Sequence, residues 1–348
     1  MAGVKLKNIA EECGVSISTV SRILNGISGK KPGDETSARV FAAAQRLGFI
    51  SRAERIPLML SQAARHEAPC AIGCILTSEH ETFISPFFSR LLAHIQNEIA
   101  VYDGTLQYRF AVANMRDPGF SRFLTADRLD SAIILGRTAR DNIEMLKKSI
   151  PHIVYAGVNQ TGCGIDEVVC DGCEGARTAV AYLASLGHTE IGYIGPTQQT
   201  NQVANEHRYE GFTAGLAQAG LSLNTAFVAD TILTTAAGYE SARMLAGAKT
   251  RPTAVFCAND TVALGAMRAF SDAGIRIPAD LSIVGFDNIE MASFVKPALT
   301  TISVPTDTLA HFAVNILIDN IEHKRSIPVT VQVPFELVVR ESCCPIHR

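Results

Sequence analysis

Side chains able to do chemistry gather in two places in this 348-residue sequence. The first is segment 8–25, NIAEECGVSISTVSRILN. There the end of one short helix, a permissive Gly14 and an oxygen-bearing Ser16 predict a turn into a second helix. On that second helix Ile17, Ser18 and Arg22 stay free, a short polar tip of the kind that fits the major groove, where an Arg fork pairs best with guanine. The second place is a set of polar residues beyond the carboxyl ends of predicted strands. These are Ser78 with Glu79, Arg137, Asn159, Asn259 with Asp260, and Asp287 with Asn288, while Arg208 opens a helix after a polar loop. Asp and Asn accept hydrogen bonds from ligand hydroxyls, and Arg clamps a hydroxyl pair or a carboxylate. Each of these also suits a helix cap or a turn, and for Asp260 the cap is the favoured reading.

Neither place offers a nucleophile paired with a base, so no enzyme is expected. The chain carries no HExxH, no GxSxG, no GxxxxGK, and no GxGxxG set between a strand and a helix. Cys163, Cys170 and Cys173 form the cysteine cluster nearest to a metal site, but their spacing lacks a fourth zinc ligand. No cofactor is expected.

The elements that must position these residues follow from periodicity. Ala10, Val15, Val20, Ile23 and Leu24 can share a small core with a third helix over 36–47, whose Val40, Phe41, Ala44 and Leu47 lie on one side. Segment 51–69 has no clean period and carries Pro57, which marks a linker. From residue 71 short apolar strands alternate with helices of about three turns. Strands are predicted at 71–77, 109–115, 131–136, 152–157, 191–195, 227–230, 254–258 and 281–286. Helices are predicted at 86–101, 142–148, 175–186, 209–219, 239–246 and 261–273. That alternation predicts parallel α/β layers, enough for two units, with ligands beyond the strands' carboxyl ends. Segment 329–340 reads as two short extended pieces divided by Pro334.

The net charge of −3 conceals an asymmetry. Residues 1–60 hold nine Lys/Arg against five Asp/Glu, while the remainder holds 22 against 29. A basic end on an acidic body places any polyanion contact in the first sixty residues. No early apolar run follows a basic segment and no stretch approaches bilayer length, so a cytoplasmic protein without a membrane partner is expected. Nine cysteines then read as reduced thiols, with Cys343 and Cys344 in an exposed tail.

GVSISTVSRILNG (14–26), LGHTEIGYIG (186–195), RYEGF (208–212), CANDTVALGAM (257–267), IPADLSIVGFDN (277–288), PALTTI (297–302) and VPFELVVRES (333–342) follow one another in an order that resembles the LacI/GalR family of bacterial transcriptional regulators. The resemblance runs over essentially the whole chain. It implies an all-helical helix-turn-helix headpiece (1–50), a hinge (51–69), and a two-lobed sensor like a periplasmic binding protein with parallel sheets (70–348). The lobes are expected at about 70–164 plus 302–327 and at about 165–301 plus 328–342. It further implies a ligand-responsive repressor that binds a pseudo-palindromic operator as a homodimer, controlled by a sugar, a sugar acid or a related polar metabolite. Carried onto this chain, Ile17, Ser18 and Arg22 become base readers. Ser16, Thr19, Ser21 and Asn25 become phosphate contacts, and Leu58 the minor-groove wedge. Arg208, Asn259 and Asp287 become effector contacts of the second lobe, joined by Ser85 and Phe87 from the first and by Arg137 at its strand end. The competing reading, a periplasmic-type binding protein without a DNA-binding role, leaves the basic helical headpiece unexplained.

The sequence departs from the family pattern in three places. FISRAERIPL (49–58) replaces the usual YxPNxxARxL hinge, with Pro57 just before Leu58. Lys5 stands where many members have a Thr cap. DTILTTAA (230–237) lacks the aromatic that often stacks on a sugar or base, a role open to Phe83, Phe87 or Phe120.

Overall fold

The computed structural model describes residues 71–76, 85–102, 104–111, 129–136, 140–197 and 207–346, with positions 10, 12–16, 19–20, 36, 39–40 and 43 of the amino-terminal part. The chain divides into two compact units, Met1–Pro69 and Cys70–Arg348. In the first unit Ala10, Cys13, Val20, Val40 and Ala43 are buried and Val15 is half-buried. Ile17, Ser18, Ser21, Arg22, Asn25 and Leu58 lie outside the described residues, as do the hinge and most of the third predicted helix.

The second unit contains two six-stranded sheets. The first has the order β11-β5-β4-β3-β1-β2. Its strands are β1 (Ala71–Leu76), β2 (Thr105–Ala111), β3 (Ser131–Leu135), β4 (His152–Gly157), β5 (Asp166–Cys170) and β11 (Thr330–Val333), all parallel. The second has the order β12-β10-β9-β8-β6-β7. It is built from β6 (Ile191–Gly195), β7 (Val228–Asp230), β8 (Ala254–Cys257), β9 (Ser282–Asp287), β10 (Thr300–Ser303) and β12 (Glu336–Val338). Only β12 runs antiparallel to its neighbour. The inner strands β1, β3, β6 and β8 are largely apolar along their length because both faces are covered.

Helix α1 (Pro86–Val101) starts with Pro at its first turn and buries Phe87, Leu91, Ile95 and Ile99, a stripe spaced by four residues. Each such side chain contributes about 1.5–3 kcal/mol on burial. Helix α2 (Arg140–Ser149) buries Ile143 and Leu146 and ends on Lys147 and Lys148, the favourable sign for a helix carboxyl end. Helices α3 (Gly172–Ser185), α4 (Arg208–Gln218), α5 (Thr235–Ala246) and α6 (Asp260–Asp272) flank the second sheet, and α7 (Thr306–His323) packs on the first beside α1. Where α3 crosses α4, a Cβ on Gly211 would lie 2.1 Å from the Cys173 carbonyl oxygen, so only glycine permits that approach. No helix among the described residues is long and apolar enough to cross a membrane.

The chain passes between the lobes at Asp171, at residues 304–305 and at residues 334–335. The expected division put residues 165–301 and 328–342 in the second lobe, whereas β5 and β11 both extend the first sheet. The cause is Asp166. Its buried carboxylate accepts from Arg325, Asn320 Nδ2 and the Val329 N–H, pinning the starts of β5 and β11 together. Cys343 and Cys344 also differ from the expected exposed tail. Both are partly buried and donate to backbone carbonyls of Ile283 and Pro278, and burial pushes the Cys343 thiol up to about 11.

Candidate functional site

In the amino-terminal unit the turn between the first two helices is built from its own residues. Gly14 adopts φ +64°, and the Val15 N–H reaches back to the Ala10 carbonyl at 3.1 Å. This closes the first helix with the left-handed glycine stop that helices favour. Ser16 then caps the second helix. Its Oγ accepts from the Thr19 N–H at 3.1 Å and lies 2.8 Å from Thr19 Oγ1. Arg39 of the third helix donates to the Cys13 carbonyl at 2.8 Å, fixing the packing of that segment on the turn. Sequence reasoning missed Cys13, buried here as a small apolar side chain. Ser16 is exposed, and Thr19 half-buried. Ser16 serves here as a cap.

In the sensor unit, three expected effector residues converge at the carboxyl edge of the second sheet. Arg208, the first residue of α4, is 3% exposed and donates through Nη1 to the Ala258 carbonyl at 2.6 Å. Its guanidinium carbon stands 5.7 Å from the Phe286 ring centre, a cation–π distance. Asn259 follows Ala258 directly and caps α6, accepting from the Val262 N–H at 2.8 Å. Asp287 follows Phe286 directly and ends β9 at φ 105°. Thus one guanidinium touches the immediate neighbours of both acceptor residues. At the end of β5 the Cys170 thiol is pushed up to about 12, chiefly by burial, then by the charge of Asp171 and last by that of Asp287.

Asp260 is not the cap expected of it, since Asn259 takes that position. Fully buried, it accepts from Thr301 Oγ1 at 2.6 Å and from the Ile289 N–H at 2.8 Å. Burial pushes its carboxyl up to about 7 against the opposing pull of those bonds. Asn288 is also committed: its side chain donates to Ser303 Oγ and accepts from Arg340 Nη2 at 2.7 Å.

The first lobe brings less to this edge. Ser85 precedes α1, half-buried, with no side-chain cap bond. Phe87 is 3% exposed and belongs to the core, its ring edge-on to the half-buried Phe88 at 5.1 Å. Arg137, Ser78 and Glu79 lie outside the described residues, as do Phe83 and Phe120. Beside the crossing at Asp171 is a cavity of about 190 Å³ lined by Asn159, Gln160, Asp171, Cys173, His207 and Gln332. Sequence reasoning did not single out His207 or Gln332; their neighbourhood depends on β11 joining the first sheet. Cys163, Cys170 and Cys173 form no metal-holding group among the described residues.

A helical turn of this kind followed by two doubly wound lobes defines a DNA-binding regulator class with a periplasmic-binding-protein-like sensor. Comparison with known proteins agrees. Residues 5–51 match bacterial regulatory proteins of the lacI family, and residues 180–343 match the periplasmic binding protein-like domain. The HTH-type transcriptional repressor PurR of Yersinia enterocolitica is 29% identical over 341 residues, covering 97% of this chain and 96% of that protein. A LacI family transcriptional regulator from Enterococcus faecium, solved with bound ribose, is 28% identical with a TM-score of 0.68 over 79% of this chain and 100% of its own. The Lac repressor dimer bound to operator and the anti-inducer ONPF shares the fold, at TM-score 0.70 and 23% identity over 99% of this chain and 100% of its own. The chain belongs to the LacI/GalR family of bacterial transcriptional regulators.

Proposed function

We propose that this protein is a repressor that binds a pseudo-palindromic operator as a homodimer and is switched by a small polar metabolite held between its lobes. The effector is a sugar, a sugar acid or a related compound rich in hydroxyls. The observation that carries this reading is the convergence of Arg208, Asn259 and Asp287 at the strand ends of one sheet, facing the other lobe. Such an edge is where parallel α/β units bind ligands. Asp287 accepts from hydroxyls, and Arg208 donates to hydroxyl or carboxylate oxygens. Arg137, Ser85 and Phe87 complete the reading from the first lobe. The ribose carried by the Enterococcus faecium regulator and the cellobiose carried by a CelR complex support the effector class. The PurR relatives and the operator-bound Lac repressor dimer support a dimeric repressor.

In the DNA-binding unit Ile17, Ser18 and Arg22 read bases, Ser16, Thr19, Ser21 and Asn25 touch phosphates, and Leu58 enters the minor groove. A mobility-shift selection on genomic fragments tests this. Changing Arg22→Ala is expected to weaken binding to the selected fragment by about 1–3 kcal/mol and to random DNA far less. Equal losses on both would reduce Arg22 to a phosphate anchor.

A further inference from the structure

We propose that Arg90 of the first lobe is a positioning residue for the effector response, a fork that holds the Asp287–Asn288 turn of the second lobe and ties the arrangement of the lobes to it. The proposal rests on reading Asp287 as an effector contact.

Asp287 and Asn288 have φ 105° and 52°, two successive side-chain-bearing residues in the left-handed region. That backbone is unfavourable for both, so neighbouring groups must hold it. The second lobe holds part of it: Ser303 and Arg340 grip the Asn288 side chain, and Asp260 takes the Ile289 N–H. The two carbonyls are gripped from the first lobe. Arg90 Nη1 donates to the Asn288 oxygen at 3.1 Å and Nη2 to the Asp287 oxygen at 3.4 Å, while Nε donates to Thr306 Oγ1 at 3.0 Å. Thr306 is itself 3% exposed and opens α7, just after the chain has crossed back from β10. One planar guanidinium thus joins α1, α7 and the effector-site turn, an arrangement that the point charge of Lys cannot reproduce.

The consequence is mechanical. Arg90 lies five residues beyond Ser85 on α1, so any shift of the first lobe against the second must stretch or break its bonds to the turn. A ligand on the Asp287 side chain and Arg90 on the Asp287 carbonyl act on the same strained residue, so each biases the other's preferred state.

Hydrogen exchange of the full-length protein, read without any ligand, tests the latch. In Arg90→Ala, amides of 286–293 and of 85–92 are expected to exchange at least tenfold faster and by similar factors, while 254–272 stays within twofold. Arg90→Lys should give a smaller rise in the same two segments. Unchanged exchange at 286–293, a rise in only one segment, or equal acceleration through 254–272 would overturn the proposal, the last by making Arg90 a general folding contact. The effector role of Asp287 is read separately, by titration of DNA binding, so either idea can fail alone.

Discussion

The two lobes share one strand order yet place their buried acids at opposite strand ends. In the first, the acids sit at the strands' amino-terminal edge: Asp166 and Glu167 open β5, 2% and 3% exposed, and their bonds go to residues of their own lobe. In the second, the acids Asp260 and Asp287 sit at the carboxyl edge beside Arg208 and Asn259, while the uncharged Ser282 and Thr300 are buried at the starts of β9 and β10. The free edge strands differ too. Strand β11 is parallel because helix α7 returns the chain to the starting edge, whereas β12 follows after only Pro334 and Phe335 and runs antiparallel. Burial of a charge therefore does not mark function by itself. Nor does the strand end alone, since Asp260, just beyond β8, is bonded within its own lobe.

The largest expected effect lies on the structural side of that comparison. Asp166→Ala removes the tie between β5 and β11 and leaves the Val329 N–H and Asn320 Nδ2 without their acceptor, while Arg325 keeps its ion pair with Asp319; the loss should be about 1–3 kcal/mol in chemical denaturation. A small loss would mean that Asp166 is not the pin between the two strands.

Asp260 gives an intermediate effect with a definite sign. Its folded carboxyl is raised from 3.8 to about 7 by burial. The folded state therefore holds its proton more tightly, and the stability from this group is full below about pH 4 and is lost as pH rises through about 7. Melting curves should show the wild type losing stability between about pH 4.5 and 7 relative to Asp260→Asn and levelling off above that. Parallel pH profiles would contradict the assignment.

The smallest effect belongs to the DNA-binding unit. Ser16→Ala removes the bond to the Thr19 N–H and should cost that unit about 1 kcal/mol. Hydrogen exchange at residues 17–21 should rise while the sensor stays unchanged. No change there would show that Ser16 does not cap the helix.

Much of this was legible in the sequence, for stated reasons. The strands 152–157 and 191–195 and the helix 86–101 appear with the predicted bounds, because apolar runs and a leading Pro mark them unmistakably. Strand β5 was missed because it begins Asp-Glu, which reads as a loop until their buried partners are known. Strand β2 begins four residues earlier than expected, at Thr105, since its polar start hides the extended pattern, while residues 112–115 lie outside the described residues. Helix α7 was not singled out, although it supplies Thr306 and Asn320 to two tertiary ties. At the site, the residue types at the strand ends were readable, but their division of labour was not. Asn259 and Asp260 are neighbours with similar side chains, and only the fold decides that one caps and the other is buried.

The central claim is that the carboxyl edge of the second sheet senses an effector that controls DNA binding. Asp287→Asn tests it most directly, because the change keeps the side chain's volume and removes its charge. The measurement is binding to the selected operator fragment, titrated with the compound found by a thermal-shift screen of sugars and sugar acids, with a melting curve as control. We expect a folded variant that binds DNA nearly as the wild type does but no longer responds to the effector, since a ligand moves a balance only through differential affinity. A normal effector response from a normally folded Asp287→Asn protein would contradict the account.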